Sequence, residues 1–404
     1  MIGSNDNMSF ITHLECSACS IRYDHRVIQS VCTHCGKSLL ARYDLGEARK
    51  VLNPDRLYER EGTLWRYKEL LPVLNEKNVV SLGEGFTPVR SLNRLAAGYG
   101  IKDLRFKDES FNATGSFKAR GLSVAVSKAT ELGITEVCIP TAGNAGSALA
   151  AYGAACGFRP HIYMPEDTPR INIDECLAYG ADVHLVDGTI SDAAKRMNAE
   201  KGSWFDMSTL KEPYRLEGKK TMGYEIAEQY GWKLPDVIIY PTGGGTGLIG
   251  MWKAFDEMQE MGWIDEHRPK MIAVQSSGCA PIVRAYESRA TSSEFWDDAH
   301  TIASGLRVPK AFADTLILRT VYMSKGFAIE VTDQSILEII RHVAMTEGYL
   351  FSPEGAATIA ALHPLREAGV ISDSSSVLAY NTGSGFKYGE VLRGAHLPNT
   401  GMIP

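Results

Sequence analysis

A single lysine lies among small and polar residues at the predicted start of a helix, where a side-chain amine could do chemistry. The stretch 112–121 reads Asn-Ala-Thr-Gly-Ser-Phe-Lys-Ala-Arg-Gly, and its lysine is Lys118. Taken alone, a lysine on a helix is most simply a solvated surface charge. A lysine amine can also bond covalently to an aldehyde and act as a general base. Other segments of the chain decide between these two interpretations.

Three polar, glycine-bearing loops elsewhere in the chain each follow an apolar run. They are 141–147 (TAGNAGS), 242–247 (TGGGTG) and 381–385 (NTGSG). An apolar run followed by such a loop is typical of a strand end, and in the first two a helical stretch comes next. In 242–247 the glycines allow backbone N–H groups to approach an anion, and a helix start adds its dipole. This loop predicts a phosphate site formed by Gly243, Gly244, Gly245, Thr246 and Gly247.

The order and spacing of these segments resemble the fold-type II family of pyridoxal-phosphate enzymes, and within it the threonine synthase group. The segments similar to that group are 81–88 (SLGEGFTP), 114–118 (TGSFK) and 213–221 (PYRLEGKKT). The resemblance covers nearly the whole chain. It implies pyridoxal 5'-phosphate as the cofactor. It also implies that Lys118 links to the cofactor and then acts as the general base beside the substrate Cα.

The resemblance also implies cofactor contacts for three other residues. Phe117 would lie next to the cofactor ring, Asn144 would hydrogen-bond its phenolic oxygen, and the Thr382 hydroxyl would meet its pyridine nitrogen. A hydroxyl at that nitrogen has no negative charge, which suits elimination and replacement at Cβ or Cγ rather than transamination. Core packing for Phe117, an Asx-turn at Asn144 and a simple turn at Thr382 are the alternatives.

The same resemblance places the substrate near the loop 141–147. Backbone N–H groups around Thr141 to Ala145, at a predicted helix start, would receive the substrate carboxylate. Ser116 is predicted to contact the substrate as well. A helix cap by Thr141 is the alternative for that residue.

Four of the eight cysteines form two Cys-x-x-Cys pairs separated by twelve residues, namely Cys16, Cys19, Cys32 and Cys35. This spacing is typical of a zinc ribbon, in which four thiolates complete a closed, structural tetrahedral shell. Two disulfides or free thiols in a mobile arm are the alternatives, and a reducing compartment disfavours the disulfides. The other four cysteines lie in apolar or helical stretches and are predicted to be buried free thiols.

Composition and charge indicate a large soluble enzyme. The chain has 404 residues and a net charge of −6, from 42 basic and 48 acidic residues. This balance argues against nucleic acid or an anionic membrane as the main partner. We find no signal pattern at the N-terminus and no apolar stretch of membrane-spanning length, so we expect a cytoplasmic protein. The resemblance implies a homodimer.

From about residue 104 onward, β-rich runs alternate with helical stretches. The predicted strands are 137–139, 161–163, 183–186, 237–240, 271–274 and 377–380. Such alternation predicts an α/β fold with parallel sheets covered on both faces. The resemblance implies two open parallel-sheet domains, a large one from 47–100 and 215–404 and a small one from 101–214. Residues 1–46 form the zinc-ribbon-like segment, and 46–78 is predicted to be a helical, charged connection.

The substrate is where the sequence departs from the threonine synthase pattern. That group acts on O-phosphohomoserine and must bind a second phosphate, which needs hydroxyls, amides and cations. The chain has Ala142, Ala145, Glu212 and Gly244-Gly245 where the group commonly has polar residues. The loop 166–172 is more similar to threonine dehydratases. Compensating cations could come from Lys107, Arg170, Lys219 and Lys220, although the last two are more simply a solvated helix face.

Three functions therefore remain open. The leading one is a threonine synthase, which converts O-phospho-L-homoserine and water to L-threonine and phosphate. The second is another lyase of the same cofactor class, either an ammonia-lyase acting on threonine, serine or diaminopropionate or a cysteate-synthase-like β-replacement enzyme. The third is a non-catalytic paralogue that binds the cofactor, which the joint presence of Lys118, Asn144 and Thr382 makes improbable.

Overall fold

The structure, a computed structural model, describes residues 7–394. The strands are β1 (Ile11–Cys16), β2 (Arg22–Tyr23), β3 (Leu39–Tyr43), β4 (Val89–Ser91), β5 (Asp103–Asp108), β6 (Val137–Pro140), β7 (His161–Pro165), β8 (Asp182–Val186), β9 (Phe205–Asp206), β10 (Val237–Pro241), β11 (Lys270–Ser276), β12 (Phe327–Val331) and β13 (Ser376–Asn381). The α-helices are α1 (Leu45–Val51), α2 (Asn93–Tyr99), α3 (Lys118–Glu131), α4 (Asn144–Cys156), α5 (Arg170–Ala178), α6 (Ile190–Glu200), α7 (Arg215–Gln229), α8 (Thr246–Glu260), α9 (Pro281–Glu287), α10 (Asp314–Met323), α11 (Asp333–Glu347), α12 (Pro353–Ala360), α13 (Leu362–Glu367) and α14 (Gly389–Gly394).

Two sheets form the body of the molecule. The larger has six strands in the order β12-β11-β10-β13-β5-β4, all parallel except the edge strand β4. The smaller has four parallel strands in the order β8-β7-β6-β9. All six predicted apolar runs form strands of these sheets, because β-rich apolar segments of this length are buried best between layers of helices.

The boundary predicted for the small domain needs one correction. The strand β5 lies within 101–214, yet it pairs in parallel with β13 of the larger sheet. The smaller sheet begins only at Val137. The local sequence of a single strand carries no signal for which of two sheets it joins, and the partner strand β13 lies far along the chain.

Helices α3 and α7 pack unusually closely in front of the sheets. A Cβ at Gly218 would lie 2.0 Å from the carbonyl oxygen of Arg120, and one at Gly121 would lie 2.8 Å from the carbonyl oxygen of Arg215. Only glycine allows the two backbones to approach this far. The close packing buries α7 on every side, so that each residue from Arg215 to Ala227 is buried.

The N-terminal segment is a separate antiparallel sheet, β2-β1-β3, which docks onto the start of α7. Ser30 Oγ donates a hydrogen bond of 2.8 Å to the carbonyl oxygen of Lys211, and Tyr43 Oη donates one of 2.8 Å to Glu217. The connection after it contains α1 and short 3-10 turns at Pro54–Glu59, Leu64–Leu70 and Glu76–Asn78, in agreement with the predicted helical character. Within 7–394, no helix is both long and apolar enough to cross a membrane.

Candidate active site

A cleft lies between the two sheets at the carboxyl ends of their parallel strands. The loop after β6 leads into α4, the loop after β10 leads into α8, and β13 ends at Asn381 beside Thr382. Open α/β sheets place their ligands at such strand ends. Lys118 is the first residue of α3 and joins this cleft from the large-sheet side, after β5.

The structure brings most of the predicted site residues into one cavity. Its inner part is lined by Phe117, Lys118, Asn144, Gly243, Gly244, Gly245, Thr246, Thr382 and neighbouring residues. Thr141 and Ala145 line an outer cavity of about 320 Å³ that shares Lys118 and Asn144 with it. Two predicted site residues line neither cavity. Gly247 is in the first turn of α8, and Ser116 is buried with its Oγ unpaired within 7–394.

The loop 242–247 has no room for side chains. A Cβ at Gly243 would lie 2.3 Å from the carbonyl oxygen of Gly305, and one at Gly247 would lie 2.0 Å from Tyr240 Oη. At Gly245 the backbone φ is +74° and a Cβ would lie 2.2 Å from Ile317 Cγ1. At its glycines the loop therefore presents only backbone, which is the arrangement that cradles a phosphate.

Helices α4 and α8 begin at the cleft, α7 begins shortly after Glu212, and the three differ in how their first turns are capped. Neither α8, after Gly245, nor α4, after Gly143, has a side-chain cap at its N-terminus. In α7 the Glu212 carboxylate accepts hydrogen bonds from the N–H groups of Tyr214 and Arg215. Since helix starts attract anions, the uncapped ends of α8 and α4 suit a phosphate and a carboxylate. Glu212 points into α7, so it does not oppose an anion in the cleft.

The amide of Asn144 is fixed in orientation by a residue that the sequence did not single out. Asn172 Nδ2 donates to Asn144 Oδ1 at 3.1 Å and to Ser147 Oγ at 2.9 Å. Because its oxygen is occupied in this way, Asn144 presents its Nδ2 as a donor, 3.3 Å from Tyr388 Oη. A donor at this position fits the phenolic oxygen of the cofactor. Asn172 lies in the first turn of α5, and its contact with Asn144 depends on how α5 packs against α4.

The Lys118 amine is set up to be uncharged near neutral pH. Loss of hydration is the main cause and repulsion from the Arg215 guanidinium adds to it, so the pKa falls to about 7 against the opposing attraction of Glu354. The ammonium lies 3.9 Å from the centroid of the Phe117 ring. An amine with a pKa near the working pH can both attack a carbonyl and exchange protons.

Glu354 is a second functional candidate that the sequence did not reveal. It lines the inner cavity, and its Oε1 accepts hydrogen bonds from Gly305 N at 2.8 Å and from Tyr388 Oη at 2.9 Å. It is therefore a buried carboxylate in the same cavity as Lys118. The segment 352–355 (SPEG) is a helix start in the sequence, and nothing in that local pattern shows that the helix points at the cleft.

Two further cations are buried next to Lys118 without an acidic partner. Lys219 Nζ and Arg215 Nε are both buried and have no hydrogen-bond partner within 7–394. Burial, helped by the charges of Arg215 and Lys118, holds the pKa of Lys219 well below its usual value. The expectation that Lys219 and Lys220 form a solvated helix face is wrong, because both are fully buried.

The four N-terminal cysteines converge on one point. Their Sγ atoms all lie within 4.8 Å of one another, with Cys16 and Cys35 at 3.4 Å and Cys19 and Cys32 at 3.6 Å. A tetrahedral zinc with bonds of about 2.3 Å places its sulfurs about 3.8 Å apart, which this donor set matches. All eight cysteines of the chain are free thiols, so the disulfide alternative does not hold in this structure.

The comparisons with known proteins agree with this fold. The chain belongs to the pyridoxal-phosphate dependent enzyme family, whose sequence model matches residues 80–383. Within that family its similar curated relatives are threonine synthases. The one from Methanocaldococcus jannaschii is 37% identical over 376 residues, which is 92% of each chain. The one from Methanosarcina acetivorans is 34% identical over 374 residues, covering 92% of this chain and 91% of the relative.

Solved structures confirm the predicted fold class. Maize serine racemase superposes with a TM-score of 0.64 at 24% identity, covering 76% of this chain and 91% of the racemase. Threonine deaminase from Solanum lycopersicum gives a TM-score of 0.62 at 24% identity, covering 77% and 88%. At this identity the likeness establishes the α/β fold of fold-type II enzymes, and the chemistry has to be argued from the site.

Proposed function

We propose that this protein is a threonine synthase, which converts O-phospho-L-homoserine and water to L-threonine and phosphate. The observation that carries the proposal is the match to threonine synthases over about nine-tenths of the chain, at 37% and 34% identity. The site residues are consistent with it. The uncapped start of α8 fits the cofactor phosphate, and that of α4 fits the substrate carboxylate.

Each residue of the site has its own proposed role in the reaction. When bound, pyridoxal phosphate supplies an electron sink for the pair left at the substrate Cα after a proton is removed. Lys118 holds the cofactor and then takes up and returns that proton, for which its lowered pKa suits it. Asn144, held by Asn172, would donate to the phenolic oxygen of the cofactor and fix its ring. Thr382 would offer a neutral hydroxyl to the ring nitrogen, which favours elimination over transamination.

The decisive experiment offers the purified protein several substrates in parallel: O-phosphohomoserine, threonine, diaminopropionate, and O-phosphoserine with sulfite. Phosphate, oxo-acid, ammonia and threonine are measured in each. We expect stoichiometric phosphate and threonine from O-phosphohomoserine. If that substrate releases no phosphate while another yields ammonia or cysteate, the proposal is wrong and a lyase of the second kind is the function. No reaction with any of them would favour the non-catalytic paralogue.

We also propose that the cysteine cluster of the N-terminal segment binds a structural zinc ion. The four sulfurs would complete the tetrahedral shell and leave no position for substrate. Elemental analysis of the purified protein should give about one zinc per chain, as expected for a single four-ligand site. Substituting Cys32 by serine should remove it, whereas Cys156→Ser should not. Zinc retained at full occupancy in Cys32→Ser would contradict the assignment.

We also propose that the protein acts on a small amino-acid substrate, forms a homodimer and is located in the cytoplasm. We propose that neither nucleic acid nor a membrane is its partner. Support comes from the family resemblance and from the net charge of −6. Sedimentation that shows a monomer alone at micromolar concentration would contradict the dimer.

A further inference from the structure

The side chains that line the outer cavity suit an anion. Three lysines line it, Lys118, Lys211 and Lys310, and its lining contains no aspartate or glutamate within the part of the chain that the structure describes. Hydroxyl-bearing residues stand among them, namely Ser191, Ser208, Thr209 and Ser304. Cations and hydroxyls without carboxylates are the donor set that a phosphate group requires.

The cations that the sequence suggested for this purpose are placed elsewhere. Lys107 and Lys220 are fully buried in ion pairs with Glu225 and Glu217. Arg170 is exposed on α5 and pairs with Asp174. Neither these residues nor Lys219 line the outer cavity.

The Lys310 ammonium also has an acidic partner. Its Nζ lies 2.7 Å from Asp314 Oδ2 and donates to the carbonyl oxygen of Ser293. These bonds tie it to the start of α10. Arg307, in the same loop, is held by both oxygens of Asp167 at 2.6 Å.

Lys211 differs from Lys310 and Arg307 in how closely it is paired with a carboxylate. Its closest carboxylate within 7–394 is Asp206, with Nζ 3.9 Å from Oδ2, beyond hydrogen-bond distance. That carboxylate is buried and already accepts hydrogen bonds from the N–H and Oγ of Ser208. The side chain of Lys211 is 31% exposed, so its ammonium can reorient toward the cavity. Its backbone is fixed, because Ser30 of the N-terminal segment donates to its carbonyl oxygen.

We infer that Lys211 is the specificity-determining cation that binds the distal phosphate of the substrate in the outer cavity. The inference rests on the proposed function and deepens it. An amino acid whose carboxylate meets the start of α4 extends its side chain into the same cavity, where Lys211 neutralises the second anionic group. Lys211 takes no part in proton transfer. Its contribution is to binding.

The test compares Lys211→Gln with Lys201→Gln. Lys201 is a matched control because its Nζ also lies 3.9 Å from Asp206 Oδ2 and its side chain is 29% exposed, yet it does not line the cavity. We expect Lys211→Gln to raise the KM for O-phosphohomoserine about tenfold or more with a smaller effect on kcat, as for an interaction present before and during the reaction. Lys211→Arg should restore most of the affinity, and Lys201→Gln should behave as the unsubstituted protein.

A binding measurement separates failure of this inference from failure of the proposed function. Inorganic phosphate is titrated into the cofactor-loaded proteins, and its binding is followed by the cofactor absorbance and by calorimetry. We expect Lys211→Gln to weaken phosphate binding about tenfold, whichever substrate the enzyme turns over. If KM and phosphate affinity both stay within twofold of the unsubstituted protein, the inference is wrong, while phosphate release from O-phosphohomoserine still stands. If that release is absent but phosphate binding depends on Lys211, the proposed function is wrong and the anion site stands.

Discussion

Two clusters of buried charge lie along helices α3 and α7 and follow opposite rules. In the first, which we call the paired cluster, the side chains of Lys107, Glu109, Arg120 and Glu225 are fully buried and balance one another. The second, which we call the unpaired cluster, consists of Lys118, Arg215 and Lys219, and no ion pair among residues 7–394 neutralises any of them. Arg120 and Glu225 of the paired cluster lie on the same two helices, whereas Lys107 lies on β5 and Glu109 directly follows that strand.

The geometry of the paired cluster is that of a structural clamp. Arg120 Nε lies 2.6 Å from Glu109 Oε2, one of its terminal nitrogens lies 2.7 Å from Glu225 Oε2, and Lys107 Nζ lies 2.8 Å from that same oxygen. Every charge has an opposite charge in contact. Such a network tolerates burial, but removal of one member leaves another buried and uncompensated.

The unpaired cluster shows what burial does when no carboxylate among residues 7–394 lies within ion-pair distance. The Arg215 guanidinium donates to the carbonyl oxygen of Met207 at 2.6 Å, and Lys219 Nζ has no hydrogen-bond partner within 7–394. Burial lowers the pKa of both lysines, that of Lys118 to about 7 and that of Lys219 well below its usual value. Paired buried charges thus hold the structure together, while in the unpaired cluster burial favours the uncharged, reactive form of the amines.

The largest effect should come from removing the reactive amine. Lys118→Ala removes the proposed general base, so we expect turnover to fall by at least about 10²–10⁴-fold. The visible absorbance band of the lysine-linked cofactor should disappear at the same time. Lys195→Ala, an exposed lysine on α6, is the control and should change neither property. A Lys118→Ala protein that keeps the band unchanged would refute the assignment.

Breaking the paired cluster should destabilise the fold strongly. Arg120→Met leaves Glu109 and Glu225 buried with Lys107 as their one remaining cation, which should cost about 3–5 kcal/mol of unfolding free energy. Urea denaturation followed by circular dichroism measures the loss. Arg56→Met removes an arginine from an exposed ion pair with Glu59 and should shift the midpoint little. Equal midpoints for the two variants would mean that the buried network does not act as a clamp.

The lowered pKa of Lys118 predicts how cofactor uptake depends on pH. The folded-state pKa of about 7 lies below the usual 10.5, so the amine is protonated below pH 7 and free to attack the cofactor aldehyde above it. Starting from cofactor-free protein, the rate of appearance of the absorbance band should rise roughly tenfold between pH 6 and pH 8. A midpoint near 10 would show that burial and Arg215 do not perturb this lysine.

The smallest effect should come from removing the partnerless amine. Lys219→Met replaces a buried amine that has no hydrogen-bond partner within 7–394 by an apolar group of similar length. We therefore expect the unfolding free energy of the cofactor-free protein to change by no more than about 1 kcal/mol. Lys107→Met, in the paired cluster, removes one of two cations from Glu225 and should cost clearly more. Urea denaturation curves of the two variants, recorded in parallel, compare their unfolding free energies. A larger loss in Lys219→Met than in Lys107→Met would reverse the comparison.

Much of the site follows from local sequence. Patterns of a few residues predict that the glycine loop and the asparagine loop lie at strand ends and Lys118 at a helix start, and the family resemblance implies their roles. The structure brings them to one cleft. These features depend on glycine, on helix starts and on strand ends, which neighbouring residues specify. The same holds for the cysteines, because two Cys-x-x-Cys turns already set most of the geometry of a four-sulfur site.

The roles of the charged residues on α7 could not be read in this way. The run 215–229 (RLEGKKTMGYEIAEQ) has the composition of an exposed helix, and Lys219 and Lys220 were expected to be solvated. The structure buries them because α7 lies between α3, α8 and the N-terminal segment. Lys220 pairs with Glu217 of the same helix, but the other residues that contact this pair are distant in sequence. Glu257 meets Lys220 from α8, and Tyr43 contacts Glu217 from β3.

The sequence by itself indicated the α/β fold class, through its alternation of strands and helices, and its resemblance to the fold-type II family indicated the cofactor and the lysine proposed for the chemistry. The tertiary structure alone decided which cations are neutralised and which remain available. Lys107 and Lys220 are paired, Lys219 is buried without a partner, and Lys211 faces the outer cavity. The physical reason is that the charge state and reach of a side chain depend on burial and on the nearest opposite charge, which folding brings from remote parts of the chain.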